Sequence, residues 1–209
     1  MLSVVSRLHI KITLVMLRFK CLFLGLFALF LTACGGGSTD SSSSSSSGDV
    51  TKILAVGDSI GVGFGGVNAW PDLVRNNTGF PVINYSMEGR HAAFSAQNII
   101  NAIDREQPSH LLILLGTNDS NNGSVSGAIF AMSLIVEHAN ANNVVPIVAT
   151  VPPRNSRSFE ISAGYRTLDA IIADVEAAFG SGAGLFQSDE VHPNNAGQDV
   201  IAATFISVL

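Results

Sequence analysis

A serine, a lone glycine, an asparagine and an aspartate three residues ahead of a histidine follow one another along this 209-residue chain in an order that suits acyl transfer. Ser59 lies in Gly57-Asp58-Ser59-Ile60, and Gly89 follows Ser86-Met87-Glu88. Asn118 lies in Gly116-Thr117-Asn118-Asp119, and His192 in Asp189-Glu190-Val191-His192-Pro193. A serine hydroxyl is a weak nucleophile until a base takes its proton, and the base works best when a carboxylate fixes its tautomer. Ser59 is the candidate nucleophile and His192 the candidate base. Asp189 is the candidate orienter, because its spacing lets a single turn bring the carboxylate to the imidazole Nδ1. A tetrahedral oxyanion needs donors aimed where charge develops, and the Ser59 N–H, the Gly89 N–H and the Asn118 side-chain amide are the candidates. Singly, each motif has a plainer meaning. A serine before a helix usually caps it, Gly-Thr-Asn-Asp is an ordinary polar turn, and Asp-x-x-His is a solvated surface pair. The conjunction carries the chemistry.

Other polar residues receive lesser roles. His91 follows Gly89 closely enough to touch a substrate, yet no carboxylate stands at a similar spacing from it. His110 and His138 fall within a predicted strand and a predicted helix, and His9 lies in the leader. Asp58 and Asp119 are expected to hold loops by hydrogen bonding. Arg154, Arg157 and Arg166 follow the fourth predicted strand, where they would meet a charged head group or solvent. Both cysteines, Cys21 and Cys34, precede the folded part. The domain therefore has no disulfide and no thiolate metal site, and neither a metal nor another cofactor is expected.

These residues need a frame. Apolar runs at 52–56, 82–85, 110–115, 144–150 and 184–186 read as strands. Helical patterns occupy 69–76, 93–106, 126–141, 165–179 and 194–208. The stretch His-Leu-Leu-Ile-Leu-Leu at 110–115 is apolar throughout, as a strand covered on both faces is. Strict alternation of strand and helix implies a parallel sheet with helices on both faces, and such sheets bind ligands beyond the carboxyl ends of their strands. Ser59, Gly89, Asn118 and His192 follow the first, second, third and fifth predicted strands, so all four fall on one rim.

Residues 1–33 read as a signal peptide. Arg18 and Lys20 precede an apolar run from Cys21 to Leu31, too short to span a bilayer, where about 20 residues are needed. Met16 would open a more typical leader than Met1. Leu31-Thr32-Ala33-Cys34 resembles a bacterial lipobox, in which Cys34 becomes the lipidated first residue; the alternative is an ordinary cut near Ala33 with Cys34 incidental. Residues 34–49, rich in Gly and Ser, form a flexible tether, and 50–209 form one domain. This organisation places the protein in the bacterial cell envelope, attached to a membrane by its lipid. Removing the leader with Arg7, Lys11, Arg18 and Lys20 takes the net charge from -5 to -9, which disfavours nucleic acid as a partner. The domain is expected to be a monomer acting on a small ester or thioester.

The four blocks resemble those of the SGNH hydrolases, also called GDSL esterases/lipases: Ser59 in GDSI, Gly89 after Asn84-Tyr85-Ser86, Asn118 in GTND, and Asp189/His192 in DxxHP. The resemblance runs from about Lys52 to the C-terminus. It implies a flavodoxin-like three-layer α/β sandwich with a five-stranded parallel sheet of order 2-1-3-4-5, and metal-free ester hydrolysis. Ala69-Trp70-Pro71 is similar to the thioesterase/lysophospholipase branch, although that branch usually has a glycine where this chain has Thr117. Acetylated glycans, aryl esters, lysophospholipids and acyl thioesters all remain open as substrates.

Two rival motifs overlap the first block. Gly57-Asp58-Ser59-Ile60-Gly61 fits the G-x-S-x-G elbow of α/β-hydrolases, but too few residues precede it for the strands that fold needs. Gly61-Val62-Gly63-Phe64-Gly65-Gly66 fits a dinucleotide-binding G-x-G-x-x-G, with Glu88 as its acidic partner. Its glycines begin beyond the strand end, and it leaves Asp-x-x-His unexplained. A non-catalytic surface lipoprotein is disfavoured by the intact set of candidate residues.

Overall fold

The computed structural model describes residues 51–209; the leader, Cys34 and the tether lie outside them. Five strands form one parallel sheet in the order 2-1-3-4-5: β1 (Ile53–Gly57), β2 (Val82–Asn84), β3 (His110–Leu114), β4 (Val145–Ala149) and β5 (Ile171–Ala173). The helices are α1 (Ser59–Val62), α2 (Trp70–Thr78), α3 (Ala96–Glu106), α4 (Thr117–Asn122), α5 (Val125–Ala141), α6 (Ser156–Tyr165), α7 (Val175–Phe179) and α8 (Asn195–Ile206). Among the described residues no helix is long and apolar enough to cross a membrane.

The strands alternate their side chains between two cores, as a sheet covered on both faces must. Leu54, Val56, Leu111, Ile113 and Val148 meet α3, α5 and α6 through Ile99, Ile103, Met132, Ile135 and Tyr165. Ile53, Ala55, Leu112, Leu114, Ile147 and Ala149 meet α2, α7 and α8 through Trp70, Val74, Phe179, Ile201 and Phe205. The Trp70 and Phe205 rings stack at 4.6 Å, locking α2 to α8. The register pairs Gly57 with Leu114, so the turns leaving β1 and β3 emerge side by side.

The last third differs from the sequence expectation. The helix expected over 165–179 is instead the end of α6, then β5, then α7. Leu168, Ile171, Ile172 and Val175 satisfy a helical spacing, but Ile172 packs into one core while Ala173 and Val175 pack into the other. α6 starts earlier because Asn155 and Ser158 form a reciprocal capping box. The strand expected at 184–186 is a loop whose sole sheet-like feature is an antiparallel bridge between Phe186 and Pro193. Five strands remain, but His192 follows α7 and this loop and not the fifth strand directly.

Candidate active site

Ser59 opens α1 directly beyond β1, whose five residues are all buried. The fully buried Asp58 caps that short helix by accepting the Ile60 N–H at 2.9 Å. Burial pushes the Asp58 carboxyl up to about 6, although the Ile60 hydrogen bond and the nearby His192 both pull it down. Gln198 of α8 braces the same turn. Its buried amide donates to Ile60 O at 2.9 Å and accepts from Trp70 N–H at 3.0 Å. Asn84 at the end of β2 donates to Gly61 O at 2.9 Å. Neither bracing residue stood out in the sequence; a glutamine inside an otherwise apolar helix face was the available signal.

Ser59 Oγ lies 2.9 Å from His192 Nε2, and His192 Nδ1 lies 2.6 Å from Asp189 Oδ2. The other carboxylate oxygen, Oδ1, accepts the N–H groups of Val191 and His192, each at 2.9 Å. Partial burial raises the Asp189 carboxyl, but these hydrogen bonds, that from the His192 side chain foremost, outweigh it and hold the group down to about 2. The three residues thus form one continuous hydrogen-bonded line, although 129 residues of chain lie between Ser59 and Asp189.

Asn118 lies in the first turn of α4, beyond β3, and donates its Nδ2 to Arg90 O at 2.9 Å. An amide nitrogen has two hydrogens, so this bond orients the group and leaves one donor over. The turn requires Gly116: its φ is +119°, and a Cβ there would sit 2.7 Å from Val151 Cγ2. Gly89 is exposed, and its N–H makes no hydrogen bond to the described residues. Its loop is tied to the end of β1 by Met87 N–H donating to Gly57 O at 3.1 Å.

The remaining polar residues are bound up in the protein. Fully buried Asp119 accepts from Ala92 N–H at 2.8 Å and Ala93 N–H at 3.1 Å, holding the loop that follows Gly89. The fold also brings Asp119 Oδ1 to 3.6 Å from His91 Nδ1, a carboxylate partner the sequence spacing did not suggest. That separation is too long for a hydrogen bond. Arg154 donates to Asn121 Oδ1 at 2.8 Å and Glu190 O at 3.3 Å. Arg157 donates to the carbonyls of Asp119 and Gly123, and Arg166 pairs with Asp174 and Glu176. Of the three, only Arg166 is paired with carboxylates; Arg154 and Arg157 donate to neutral oxygens. The glycine run 61–66 begins inside α1 instead of opening a helix, as a dinucleotide-binding turn would. Among the described residues no group of three or more His, Cys, Asp or Glu is placed to hold a metal ion.

The profile of the GDSL-like lipase/acylhydrolase family matches residues 55–200. Among solved structures, a lipase/acylhydrolase from Enterococcus faecalis shares 19% identity with a TM-score of 0.65, over 75% of this chain and 94% of that one. The psychrotrophic esterase EstA from Pseudoalteromonas shares 20% identity with a TM-score of 0.61, over 76% and 96%. A catalytic mutant of Axe2, an acetylxylan esterase from Geobacillus stearothermophilus, shares 16% identity with a TM-score of 0.64, over 75% and 93%. At these identities the likeness is one of fold. No curated protein sequence matches the chain.

Proposed function

This chain belongs to the GDSL-like lipase/acylhydrolase family and is an ester hydrolase, and from that premise we propose that it works through an acyl-enzyme on Ser59, with His192 as base and Asp189 as its orienter. The observation that carries this reading is the unbroken line from Ser59 Oγ through both imidazole nitrogens to Asp189 Oδ2, at 2.9 and 2.6 Å.

Ser59 Oγ attacks the ester carbonyl carbon while its proton passes to His192 Nε2. The negative charge moves to the carbonyl oxygen, where the Ser59 N–H, the Gly89 N–H and the second hydrogen of Asn118 Nδ2 meet it. Asp189 holds Nδ1–H and stabilises the imidazolium. Nε2 then returns the proton to the leaving oxygen as the C–O bond breaks. Water repeats the sequence on the acyl-enzyme, freeing the acid and restoring Ser59.

The substrate is a short-chain acyl or aryl ester. Val62, Phe64, Met87 and Phe94, all exposed, lie on the segments that follow β1 and β2, the segments of Ser59 and Gly89. Arg166 is committed to Asp174 and Glu176, which weighs against a phospholipid head group bound by it. All candidate residues come from one chain, so the site needs no second copy. Hydrolysis of p-nitrophenyl esters of rising acyl length, beside lysophosphatidylcholine and acetylated xylan, tests this. We expect cofactor-free, EDTA-insensitive activity that is highest on short acyl chains. Activity confined to lysophosphatidylcholine or acetylated xylan would overturn the substrate assignment.

Cys34 is proposed as a lipidated anchor and the Gly/Ser tract as its leash, holding the domain at the cell envelope. Several acyl chains on one residue give stable attachment where one is marginal. Cys34→Ser is expected to release the protein from the membrane fraction and to abolish lipid labelling; an already soluble, unlabelled wild type would remove the anchor.

A further inference from the structure

Gly63, Phe64, Gly65 and Gly66 leave α1 in a loop to which the proposed mechanism assigns no role. The Phe64 ring lies nearly parallel to the His192 imidazole, with centroids 4.2 Å apart and an interplanar angle of 28°. The residue is 42% exposed, so it still presents surface to solvent while stacked on the imidazole. The loop is fastened at several points. Phe64 N–H donates to Ser59 O at 3.1 Å. Gln187 Nε2 donates to Phe64 O at 2.8 Å and to Pro193 O at 3.1 Å, while Gln187 N–H donates to His192 O at 2.7 Å. One glutamine thereby holds both the backbone that carries Phe64 and the backbone that carries His192. Gly65 has φ +82°, so a side chain there would strain the backbone and its Cβ would push the Gln187 amide aside.

Two hydrogen bonds fix the imidazole within its own plane, since Ser59 and Asp189 both lie at its ring nitrogens. Neither bond resists tipping about the line joining those nitrogens, and both resist displacement normal to the ring only by bending. A flat ring stacked on one face supplies that missing restraint. Nε2 must also come within about 2.6–3.2 Å of the leaving oxygen to return its proton. The leaving group therefore passes beside the imidazole on which Phe64 is stacked.

Resting on the triad reading above, we propose that Phe64 is a positioning residue for His192 and the apolar wall on the leaving-group side of the site. No new bond-making step is involved: Phe64 keeps Nε2 aimed between Ser59 Oγ and the leaving oxygen, and it offers an aryl leaving group a surface to stack on.

The test uses the full chain carrying Phe64→Ala, Phe64→Leu or Phe64→Tyr, with phenyl acetate and ethyl acetate as substrates of one acyl group and two leaving groups. Ser59→Ala runs beside them. Phe64→Ala is expected to lower kcat about 10- to 100-fold on both esters, the scale of a base held out of line. Its kcat/KM should fall a further threefold or tenfold on phenyl acetate, about the value of one aromatic contact. Phe64→Tyr should restore most of both losses, whereas Phe64→Leu, bulky but not flat, should not. Independently of turnover, the His192 ring protons should resonate upfield in wild type through the Phe64 ring current and move downfield in Phe64→Ala. Unchanged kcat in Phe64→Ala, equal rescue by Leu and Tyr, or unmoved ring protons would overturn the positioning role. Equal losses in kcat/KM on the two esters would overturn the leaving-group wall. Activity that survives Ser59→Ala would instead overturn the triad reading beneath both.

Discussion

Ser59 leaves β1, a strand with a hydrogen-bonded neighbour on each side and no exposed residue, and the carboxylate next to it, Asp58, is fully buried. Asp189 and His192 lie far beyond β5 in a turn with no strand beneath it, and 39% of the Asp189 side chain is exposed. The two turns meet at 2.9 Å but are held by different means. The Ser59 turn inherits its rigidity from the sheet, from the buried Gln198 amide and from the Asn84 amide at the end of β2. The Asp189–His192 turn is self-fastened: Asp189 accepts two backbone N–H groups, Asn194 caps α8 and donates to Gly184 O and Phe186 O, and Arg154 reaches Glu190 O. Glu190 itself has φ +56°, a left-handed conformation unusual for a residue with a side chain. A site assembled this way has one wall that fails only with the fold and another that can be altered while the fold survives.

The contrast breaks most visibly at the triad. His192→Ala should remove nearly all activity while leaving the thermal midpoint close to wild type, because no core packing is lost. Asp189→Asn should follow, costing about 10⁴ in kcat, the value for the corresponding change in the best-studied serine triad. A large drop in midpoint for either would mean that the Asp189–His192 turn is part of the structural core. Asn118→Ala comes next. It should lower kcat by about 10²–10³ with KM little changed, since its free hydrogen meets charge that is absent from the ground-state ester; a raised KM at constant kcat would make it a binding residue.

Asp58→Asn sharpens the comparison from the other side. The folded-state pKa of Asp58 is raised to about 6 from its ordinary 3.8, so the folded protein binds the extra proton between those values. Stability contributed at this site therefore falls as pH rises from about 4 to 6, and the ionised group stays costly above that. Asp58→Asn should keep the Ile60 hydrogen bond and abolish this pH dependence, so that its stability relative to wild type rises by about 3 kcal/mol between pH 4 and pH 8. Asp189 has the opposite sign: its depressed pKa contributes stability above about 4 that is lost as pH falls toward 2. Denaturant melts across pH check both windows, and an Asp58→Asn gain that is constant with pH would contradict the burial argument. The smallest effect belongs to Arg166→Ala, whose partly exposed ion pairs should cost no more than about 1 kcal/mol and leave activity on every ester unchanged. A raised KM for lysophosphatidylcholine alone would restore Arg166 as a head-group contact.

How much of this was legible follows the same division. β1, β3 and β4 are long apolar runs flanked by polar turns, and they lie within a residue or so of their expected places. β5 is a three-residue edge strand with Ile171 exposed, too short to show alternation against a helical pattern that spans it. α6 buries Ser158 and Ser162 beside Ile161 and Tyr165, so its face has little apolar contrast, although Asn155 with Ser158 was a readable start signal. The candidate site residues were visible because chemistry restricts residue type at each of them. Their supports were not, because Gln187, Gln198 and Phe64 act across more than a hundred residues of chain, and no local spacing encodes such contacts.

The claim on which the rest depends is that Ser59 becomes covalently acylated. An ethyl p-nitrophenyl alkylphosphonate transfers its phosphorus to an activated serine and stops there, so peptide mass spectrometry of the inhibited protein reads the nucleophile directly. We expect one phosphonate per chain, on Ser59, formed in step with loss of esterase activity, and no labelling of Ser59→Ala or of His192→Ala on the same timescale. Esterase activity that persists in the fully labelled protein, or a label carried by another residue while activity disappears, would contradict it.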